Sequence, residues 1–260
     1  MLSVKNLIKR YPNNNFNSAD DISFEVGAGE IFGFLGKNGA GKSTVIKCIT
    51  GIIPFDSGTV TICGADILKS PIAAKRNMGY VPDNHMVIEK LTGREYVNYV
   101  ADLYRVSLAD RVERLRYFLQ VFSLEHAVDK QIKSYSHGMK QKICIIAALI
   151  HEPKVWILDE PMMGLDPQST ADIINYMQEH SRKGNTVFFS SHNLDIVKQL
   201  CHRTAIVDKG KITEILELAG NPTNQNRLEE VFFKATGGTQ GRLITPTEPL
   251  KKSGEGVKDE

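Results

Sequence analysis

The segment from residue 36 to residue 43 has the residue types and spacing of a phosphate-binding loop. It reads Gly36-Lys-Asn-Gly-Ala-Gly-Lys-Ser43, which fits the pattern G-x-x-x-x-G-K-[ST]. The apolar run Ile31–Leu35 precedes it, and a helical pattern follows it. Glycines at these positions let several backbone N–H groups point inward at the start of a helix, where they bind anions. The segment therefore predicts a site for a nucleoside triphosphate rather than an ordinary glycine-rich turn.

The residues of this loop are expected to make different contacts. Lys42 would place a positive charge between the β- and γ-phosphates, and the hydroxyl of Ser43 would hold Mg²⁺. Thr44 is in position to donate a hydrogen bond to the α-phosphate. The predicted nucleotide-binding residues of the loop are Gly36, Lys37, Asn38, Gly39, Ala40, Gly41, Lys42, Ser43 and Thr44.

Two acids and a histidine stand directly after predicted strands. Asp159 and Glu160 follow the apolar run Val155–Leu158, and His192 follows Thr186–Ser191. The carboxyl ends of parallel strands meet at one edge of a sheet, so these side chains are expected beside the phosphate loop. Asp159 would then hold Mg²⁺, Glu160 would polarise the attacking water, and His192 would contact the γ-phosphate. Each residue alone is more often a solvated strand end, and the upstream loop is what favours catalysis.

Composition limits the classes of protein to which the chain can belong. Its 260 residues are 42% hydrophobic and 24% charged, with a formal net charge of +2. These values are typical of a globular protein, and they provide no basic field for nucleic acid. The four cysteines are Cys48, Cys63, Cys144 and Cys201. They lack metal-ligand spacing, and three of them lie in apolar runs, which predicts buried free thiols in a reducing, cytosolic compartment.

The sequence offers no segment that would cross a bilayer. Its longest apolar run, Ile143–Ile150, is far shorter than the roughly 20 residues that a spanning helix needs. The first ten residues alternate like a strand and lack the apolar core of a signal peptide. If the chain works in transport, we expect another polypeptide to supply the path.

Strands and helices are distributed unevenly along the chain. From about Glu89 to Lys133 the pattern is helical, with a capping box at Thr92-Gly-Arg-Glu95 and a second start at Ser107. Strands and helices then alternate up to a hairpin at Lys209-Gly210, which favours a parallel sheet flanked by helices. The predicted early strands are Leu2–Ile8, Ile22–Val26, Ile31–Leu35, Thr59–Cys63 and Met78–Val81, with a helix from Lys42 to Gly51. The predicted apolar faces are Tyr96, Tyr99, Val100 and Leu103 on the first helix of the block, and Val112, Leu115, Phe118 and Leu119 on the second.

Together these motifs resemble the nucleotide-binding domain of ABC transporters over residues 1–238. The resemblance implies an α/β fold, a P-loop NTPase of the ABC type. Its mixed sheet core would carry an N-terminal antiparallel β subdomain and a helical subdomain inserted at about residues 84–140, with a flexible tail at 239–260. In the family's order, Tyr11 matches the aromatic residue that stacks on adenine, Gly36–Ser43 matches Walker A, and Asp83 matches the Q-loop. The signature motif is matched by Ser136, His137, Gly138 and Met139. Val155–Glu160 matches Walker B, Gly164–Pro167 with Asp166 matches the D-loop, and His192 matches the switch histidine.

The resemblance also implies how such a chain works. Two copies would form a head-to-tail homodimer with ATP and Mg²⁺ between them, and the signature motif of one copy would face the Walker A loop of the other. Ser136 and Gly138 precede a predicted helix from Lys140 to Ile150, whose N-terminal dipole favours a phosphate. Such a dimer would hydrolyse ATP at the cytoplasmic face of the cell membrane, attached there through a permease.

The sequence departs from the family pattern at two places. Asp83 stands where the Q-loop has glutamine, and an acid at this position can still ligate Mg²⁺ or hold water. In the signature motif, His137 and Met139 replace a glycine and a glutamine. His137 would add a titratable donor at the dimer interface or face solvent.

The form of the signature motif narrows the resemblance further. Tyr135-Ser-His-Gly-Met139 and the stretch from Leu228 to Gly237 resemble the ATPases of two-component bacterial exporters. Those exporters pair with a separate six-helix permease and carry drugs, antimicrobial peptides, lipids or ions. In this family the helical block meets the permease, so Tyr96, Tyr99 and Tyr104 are candidate surface anchors. The alternative is that most of these tyrosines pack inside the subdomain.

Other nucleotide-binding proteins share some of these motifs. A soluble ABC-type ATPase of translation would carry two motif sets in one chain, and one of DNA repair would carry a long coiled coil, but this sequence has neither. A GTPase would offer an N-K-x-D motif, which is missing. A non-catalytic nucleotide binder would lack Glu160. The sequence therefore favours a transporter ATPase, with the soluble ABC-type ATPase as the alternative.

Overall fold

The computed structural model describes residues 1–84, 87–235 and 237, and its strands form two sheets. In chain order the strands are β1 (Leu2–Arg10), β2 (Asn17–Val26), β3 (Ile31–Leu35), β4 (Ser57–Ile62), β5 (Ala65–Asp66), β6 (Met78–Val81), β7 (Val155–Leu158), β8 (Thr186–Ser191), β9 (Arg203–Asp208) and β10 (Lys211–Glu217). The helices are α1 (Lys42–Ile49), α2 (Pro71–Arg76), α3 (Gly93–Leu103), α4 (Leu108–Val121), α5 (His137–Leu149), α6 (Pro167–Arg182), α7 (Leu194–Leu200) and α8 (Pro222–Ala235), with a 3₁₀ turn at Ile132–Ser134.

The larger sheet is mixed and has the order β10-β9-β3-β8-β7-β6. Neighbouring strands from β9 to β6 are parallel, whereas β10 pairs antiparallel with β9. Every residue of β3 and of β7 is buried, because the sheet is covered on both faces and a central strand must then be apolar throughout. The smaller sheet, β2-β1-β4-β5, is antiparallel. Both sheets agree with the predicted α/β class of mixed core and N-terminal antiparallel unit.

Two apolar clusters cover the two faces of the mixed sheet. Phe24 of the small sheet stacks on Phe32 and Phe188 of the mixed sheet, with ring centroids 5.4 and 5.3 Å apart. On the opposite face, Trp156 packs edge-on against Tyr176 of α6 at 5.7 Å. Large buried aromatic pairs of this kind supply much of the burial free energy of a domain.

The helices of the inserted block begin as predicted, but one predicted apolar face was only half correct. The capping box at Thr92 is present, and Ser107 caps α4. On α3 the buried residues include Val97 and Ala101, whereas Tyr99 and Leu103 are 48% and 65% exposed. Tyr96 and Val100 of the predicted stripe are partly buried against the core. The packed face is therefore rotated toward Val97 and Ala101, because tertiary contacts with α5 overrode the local pattern.

On α4 most of the predicted apolar stripe is correct. Leu115, Phe118 and Leu119 are buried. Val112 is 63% exposed, so the stripe begins one turn later than predicted. Together with Leu108, which is 74% exposed, Val112 gives the first two turns of α4 an apolar surface toward solvent.

Several element boundaries also differ from prediction. The signature helix α5 begins at His137 rather than Lys140, because Ser136 is its N-cap and accepts a hydrogen bond from Met139 N at 3.3 Å. Helix α6 begins at Pro167, because Asp166 caps it. Strands β1 and β2 extend beyond the predicted Leu2–Ile8 and Ile22–Val26. Strand β4 runs from Ser57 to Ile62, whereas the prediction was Thr59–Cys63. Helices α2 and α8 were not predicted. The predicted tail, residues 239–260, lies outside the described residues.

Three strands, the start of α1 and the last hairpin coincide with their predictions, whereas β5 was not predicted. Strands β3, β6 and β7 have the predicted bounds, and Gly51 follows α1 with a φ of 64°, as suits a glycine just beyond a helix end. The β9–β10 hairpin turns at Lys209-Gly210. Three cysteines are buried and free as predicted: Cys48, Cys144 and Cys201. Across the described residues, no helix is both long enough and apolar enough to span a bilayer.

Acid should destabilise the fold through His180. This α6 residue is 3% exposed and packs on Trp156 at 5.8 Å, and burial lowers its pKa from 6.5 to about 4. A histidine whose pKa is lower in the folded state costs stability as pH falls below 6.5, since the unfolded chain binds the proton first. Between pH 7 and pH 5 we expect a loss of about 2 kcal/mol in the free energy of unfolding. Urea unfolding at the two pH values measures this loss. A His180→Leu chain whose free energy of unfolding has the same pH dependence as wild type would contradict the assignment to His180.

Candidate functional site

Three adjacent strands deliver their carboxyl ends to one edge of the mixed sheet. Strand β8 lies between β3 and β7, and Gly36 N donates to Ser191 O at 3.1 Å. The phosphate loop after β3, His192 after β8 and the two acids after β7 therefore meet at one place. This is the edge where ligands bind in open α/β sheets.

The phosphate loop lies so close to neighbouring backbone that two positions require glycine. A Cβ on Gly36 would lie 2.6 Å from Val207 O, and one on Gly41 would lie 2.3 Å from Ser18 O. Gly41 also has a φ of +103°, which L side chains rarely adopt. The loop is thus fixed between β2 and β9, with its helix α1 starting at Lys42.

Lys42 points back across the loop toward the acids. Its Nζ donates to Gly36 O at 2.6 Å and to Lys37 O at 3.2 Å. The same nitrogen lies 3.0 Å from Glu160 Oε1. A buried ammonium between carbonyls and a carboxylate is well placed to bind phosphate oxygens, which are stronger acceptors than carbonyls.

Glu160 is held in an unusual backbone conformation. Its φ is +47°, and its N–H donates to Ser190 Oγ at 2.9 Å. This conformation turns the carboxylate between Lys42 and His192, whose Nδ1 lies 2.9 Å from Glu160 Oε2. An ionised carboxylate only accepts, so the proton of this hydrogen bond lies on Nδ1 and Nε2 remains available.

Asp159 is fully buried beside this pair. Ser190 donates to its Oδ1 at 2.6 Å, while its Oδ2 has no hydrogen-bond partner among the described residues. Burial raises the pKa of Asp159, and the hydrogen bond from Ser190 opposes that rise. A buried carboxylate with an unsatisfied oxygen fits a Mg²⁺ ion or a water bound to it.

A cavity of about 810 Å³ opens above these residues. A cavity of this volume has the size of a typical cofactor site. Its predicted lining residues are Tyr11, Lys37, Asn38, Gly39, Gly41, Lys42, Ser43, Thr44, Asp83 and Glu160. Residues that line it without having been predicted are Asn14, Phe16, Asn17, Ser18, Met163, Lys209 and Gly210.

Two aromatic side chains mark one wall of this cavity. The hydroxyl of Tyr11 lies 3.5 Å from Thr44 Oγ1, and Phe16 is 66% exposed. An aromatic ring that stays exposed in a cavity offers a stacking face for a planar base. Phe16 was missed, although an aromatic residue inside an Asn-rich turn between two strands was a signal that could have been used.

The signature motif lies outside this cavity. None of Ser136, His137, Gly138 and Met139 is among its lining residues in the described chain. A Cβ on Gly138 would lie 3.4 Å from Asp166 Oδ2, and Asp166 caps α6 by accepting from Ser169 N at 2.8 Å. The motif and Asp166 thus form a second, separate part of the surface.

Sequence and structure comparisons place the chain in a family. Residues 19–163 match the family model described as ABC transporter. The linearmycin resistance ATP-binding protein LnrL of Bacillus subtilis is 37% identical over 83% of this chain and 68% of its own length. The chain belongs to the ABC transporter family. It is an ATP-binding subunit of that family and an ATPase, and the cavity above the phosphate loop is its candidate ATP site.

Other relatives of this ABC transporter subunit have different names. A Nod factor export ATP-binding protein of Paraburkholderia xenovorans is 33% identical over 74% of this chain and 63% of its own length. The methionine import ATP-binding protein MetN of Clostridioides difficile is 28% identical over 99% of this chain and 78% of its own length. A solved ATP-binding subunit of an ABC transporter superposes with a TM-score of 0.83 and 31% identity, covering 90% of this chain and 99% of that one.

Replacing Lys42 with alanine should weaken ATP binding. The ammonium lies at the centre of the loop, so its loss removes a charged contact to phosphate, and we expect at least an approximately tenfold higher Kd. Titration calorimetry with a slowly hydrolysed ATP analogue measures it. Lys47→Ala, on the same helix but outside the cavity, is the charge-matched control. Equal affinities for wild type and Lys42→Ala would show that Lys42 does not bind phosphate.

Proposed function

We propose that this chain is the motor subunit of an exporter, in which ATP hydrolysis drives a substrate through a separate permease. The observation that carries the proposal is the contact of Glu160 with both Lys42 and His192, at 3.0 and 2.9 Å, at the edge of the large cavity. A cation for phosphate, a carboxylate for water and a second hydrogen-bonding group are the parts that phosphoryl transfer to water requires.

Within this site, each residue of the chain would have a distinct role. The loop from Gly36 to Thr44 would bind the phosphates, and Tyr11 together with Phe16 would contact adenine. Phosphate oxygens would compete with Glu160 for Lys42, because both are acceptors for the same ammonium. Glu160 would then accept a hydrogen bond from the attacking water, while His192 would keep its carboxylate oriented.

The chain's residues fit a bound Mg²⁺ that has few protein ligands. The unsatisfied Oδ2 of Asp159, the Ser43 hydroxyl and the Asp83 carboxylate would hold the ion or its waters. Among the described residues, no group of three or more histidines, cysteines or acids could hold a metal alone. This agrees with the habit of Mg²⁺ of binding through one or two carboxylates plus phosphates and water. Bound there, Mg²⁺ would neutralise phosphate charge.

A second copy of the chain would complete each site. The N-terminus of the 13-residue helix α5 carries Ser136, His137, Gly138 and Met139, and the dipole at this end of a helix favours a phosphate. Since this end lies outside its own cavity, its nucleotide would be the one bound by the partner. Asp166 lies beside it and would join the same interface. In this proposal, residues 1–238 form the ATP-binding domain with the helical subdomain at about 84–140.

A groove next to β6 would contact the cytoplasmic face of the permease. It encloses about 290 Å³, and its lining residues include Tyr80, Tyr96, Val100, Tyr104 and Ile52. Among the three candidate anchors, Tyr99 is exposed instead of lining the groove. The ring of Tyr104 stacks on His151 at 3.6 Å, and this contact leaves Tyr96 as the anchor that we favour.

Export, as the direction of transport, is supported by the signature motif. The stretch Tyr135-Ser-His-Gly-Met139 resembles that of two-component exporters. One relative is named for Nod factor export, whereas another is named for methionine import. We therefore propose export for this chain on the strength of the motif.

The Glu160→Gln change should trap the motor with its partner. Glutamine keeps the shape of glutamate but accepts protons poorly, so ATP should still bind while turnover falls by about two orders of magnitude or more. Tagged protein isolated from native membranes with ATP and Mg²⁺ is then analysed by mass spectrometry. We expect a multi-span permease, and its identity would indicate the substrate. Glu125→Gln, an exposed acid of the helical block, is the control.

Two other results of that experiment would contradict the proposal. Wild-type turnover by Glu160→Gln would remove Glu160 from its catalytic role. Capture of ribosomes or DNA-repair proteins without a membrane protein would favour the soluble ABC-type ATPase.

The metal assignment can be tested by comparing two acids. Asp159 is buried with an unsatisfied oxygen, whereas Asp83 is exposed. We therefore expect Asp159→Asn to raise the Mg²⁺ concentration for half-maximal ATPase activity about tenfold or more, and Asp83→Asn to raise it less. A Mg²⁺ titration of the hydrolysis rate measures both, with Glu113→Gln as control. Identical Mg²⁺ curves for wild type and Asp159→Asn would refute the assignment.

A further inference from the structure

Helix α5 is joined to the loop after β7 in the same chain by two side chains. Gln141 Nε2 donates to Pro161 O at 3.1 Å. His137 Nε2 lies 3.3 Å from Met163 O. The carbonyl oxygen can only accept, so Nε2 carries the proton of that contact. The start of the signature helix therefore holds two carbonyls of residues 160–164, the loop that begins with Glu160.

The backbone of this loop needs such support. It opens with Glu160 at a φ of +47° and closes with Gly164 at +71°. A left-handed conformation is costly for glutamate and persists only where surrounding contacts enforce it. Within the loop, Met163 N donates to Glu160 O at 3.1 Å, so Met163 is joined directly to the backbone of the catalytic acid.

The ring of His137 also packs on the end of the loop. A Cβ built on Gly164 would lie 3.5 Å from His137 Nε2, so the imidazole lies directly over that glycine. The signature pattern that this chain resembles has glycine at position 137, and glycine has no side chain that could reach Met163. The contact is thus a feature of this sequence.

We propose that His137 is a positioning residue that holds the Glu160–Gly164 loop, and with it the Glu160 carboxylate, in the orientation used for hydrolysis. The inference rests on the proposed roles of Glu160 and of the signature motif. In the dimer, the signature motif would face the partner's nucleotide. His137 would then connect that nucleotide to the catalytic acid of its own chain.

The test compares two substitutions at this position in the full chain. His137→Ala removes the donor but keeps a good helix former at the start of α5, whereas His137→Gln keeps a side-chain N–H donor. We expect the kcat of His137→Ala to fall about tenfold, because a small displacement of a catalytic group is costly. The Kd for ATP should change less than about twofold, since residues 36–44 set it. His137→Gln should recover most of the kcat, and His126→Ala, an exposed histidine of the helical block, should match wild type.

Dimerisation separates this role from a direct contact with the partner's phosphate. His137→Ala is combined with Glu160→Gln, and ATP-driven association is followed by sedimentation. Association equal to that of Glu160→Gln alone supports positioning. Association weakened in proportion to the loss of kcat shows direct phosphate contact and overturns the inference.

Two kinetic results would also overturn it: an unchanged kcat in His137→Ala, or a His137→Gln chain as slow as His137→Ala. If the Glu160→Gln chain does not associate with ATP at all, the proposed dimer is wrong. The kcat comparison then decides the role of His137 by itself.

Discussion

The site depends on the pairing of three buried parallel strands, β7, β8 and β3. Leu158 pairs with Phe189, and Leu35 pairs with Ser191. These registers place the residues that follow each strand side by side at one edge. Since the strands are buried, a slip by one residue would turn every side chain to the opposite face. Core packing therefore fixes the relative positions of the phosphate loop, the acids and the histidine.

One hydroxyl connects this framework to the chemistry. Ser190, near the end of β8, donates to Asp159 Oδ1 and accepts from Glu160 N. It thus orients the buried carboxylate and supports the left-handed backbone of the next residue. In this orientation the carboxylate of Glu160 contacts both Lys42 and His192. A group held from several sides in this way needs little reorganisation during reaction.

The helical block shows where reasoning from local pattern was insufficient. Apolar spacing predicted that α3 would bury Tyr99 and Leu103, yet both are exposed and Val97 is buried. Several apolar residues on one helix allow more than one candidate face, and the neighbouring helix α5 decides between them. Phe16 was overlooked for a related reason, because its turn meets the phosphate loop only in the folded chain.

The sequence by itself determined the phosphate loop and the buried strands, since each depends on residues that are close together in the chain. The order of such local motifs along the chain determined the family. Gly36, Gly41 and Lys42 are recognisable because their spacing encodes one local backbone shape. Only the tertiary structure decided that Glu160 contacts His192, 32 positions away, and that His137 reaches Met163, 26 positions away. Those contacts depend on which elements pack together and on a left-handed residue, and no local pattern specifies either.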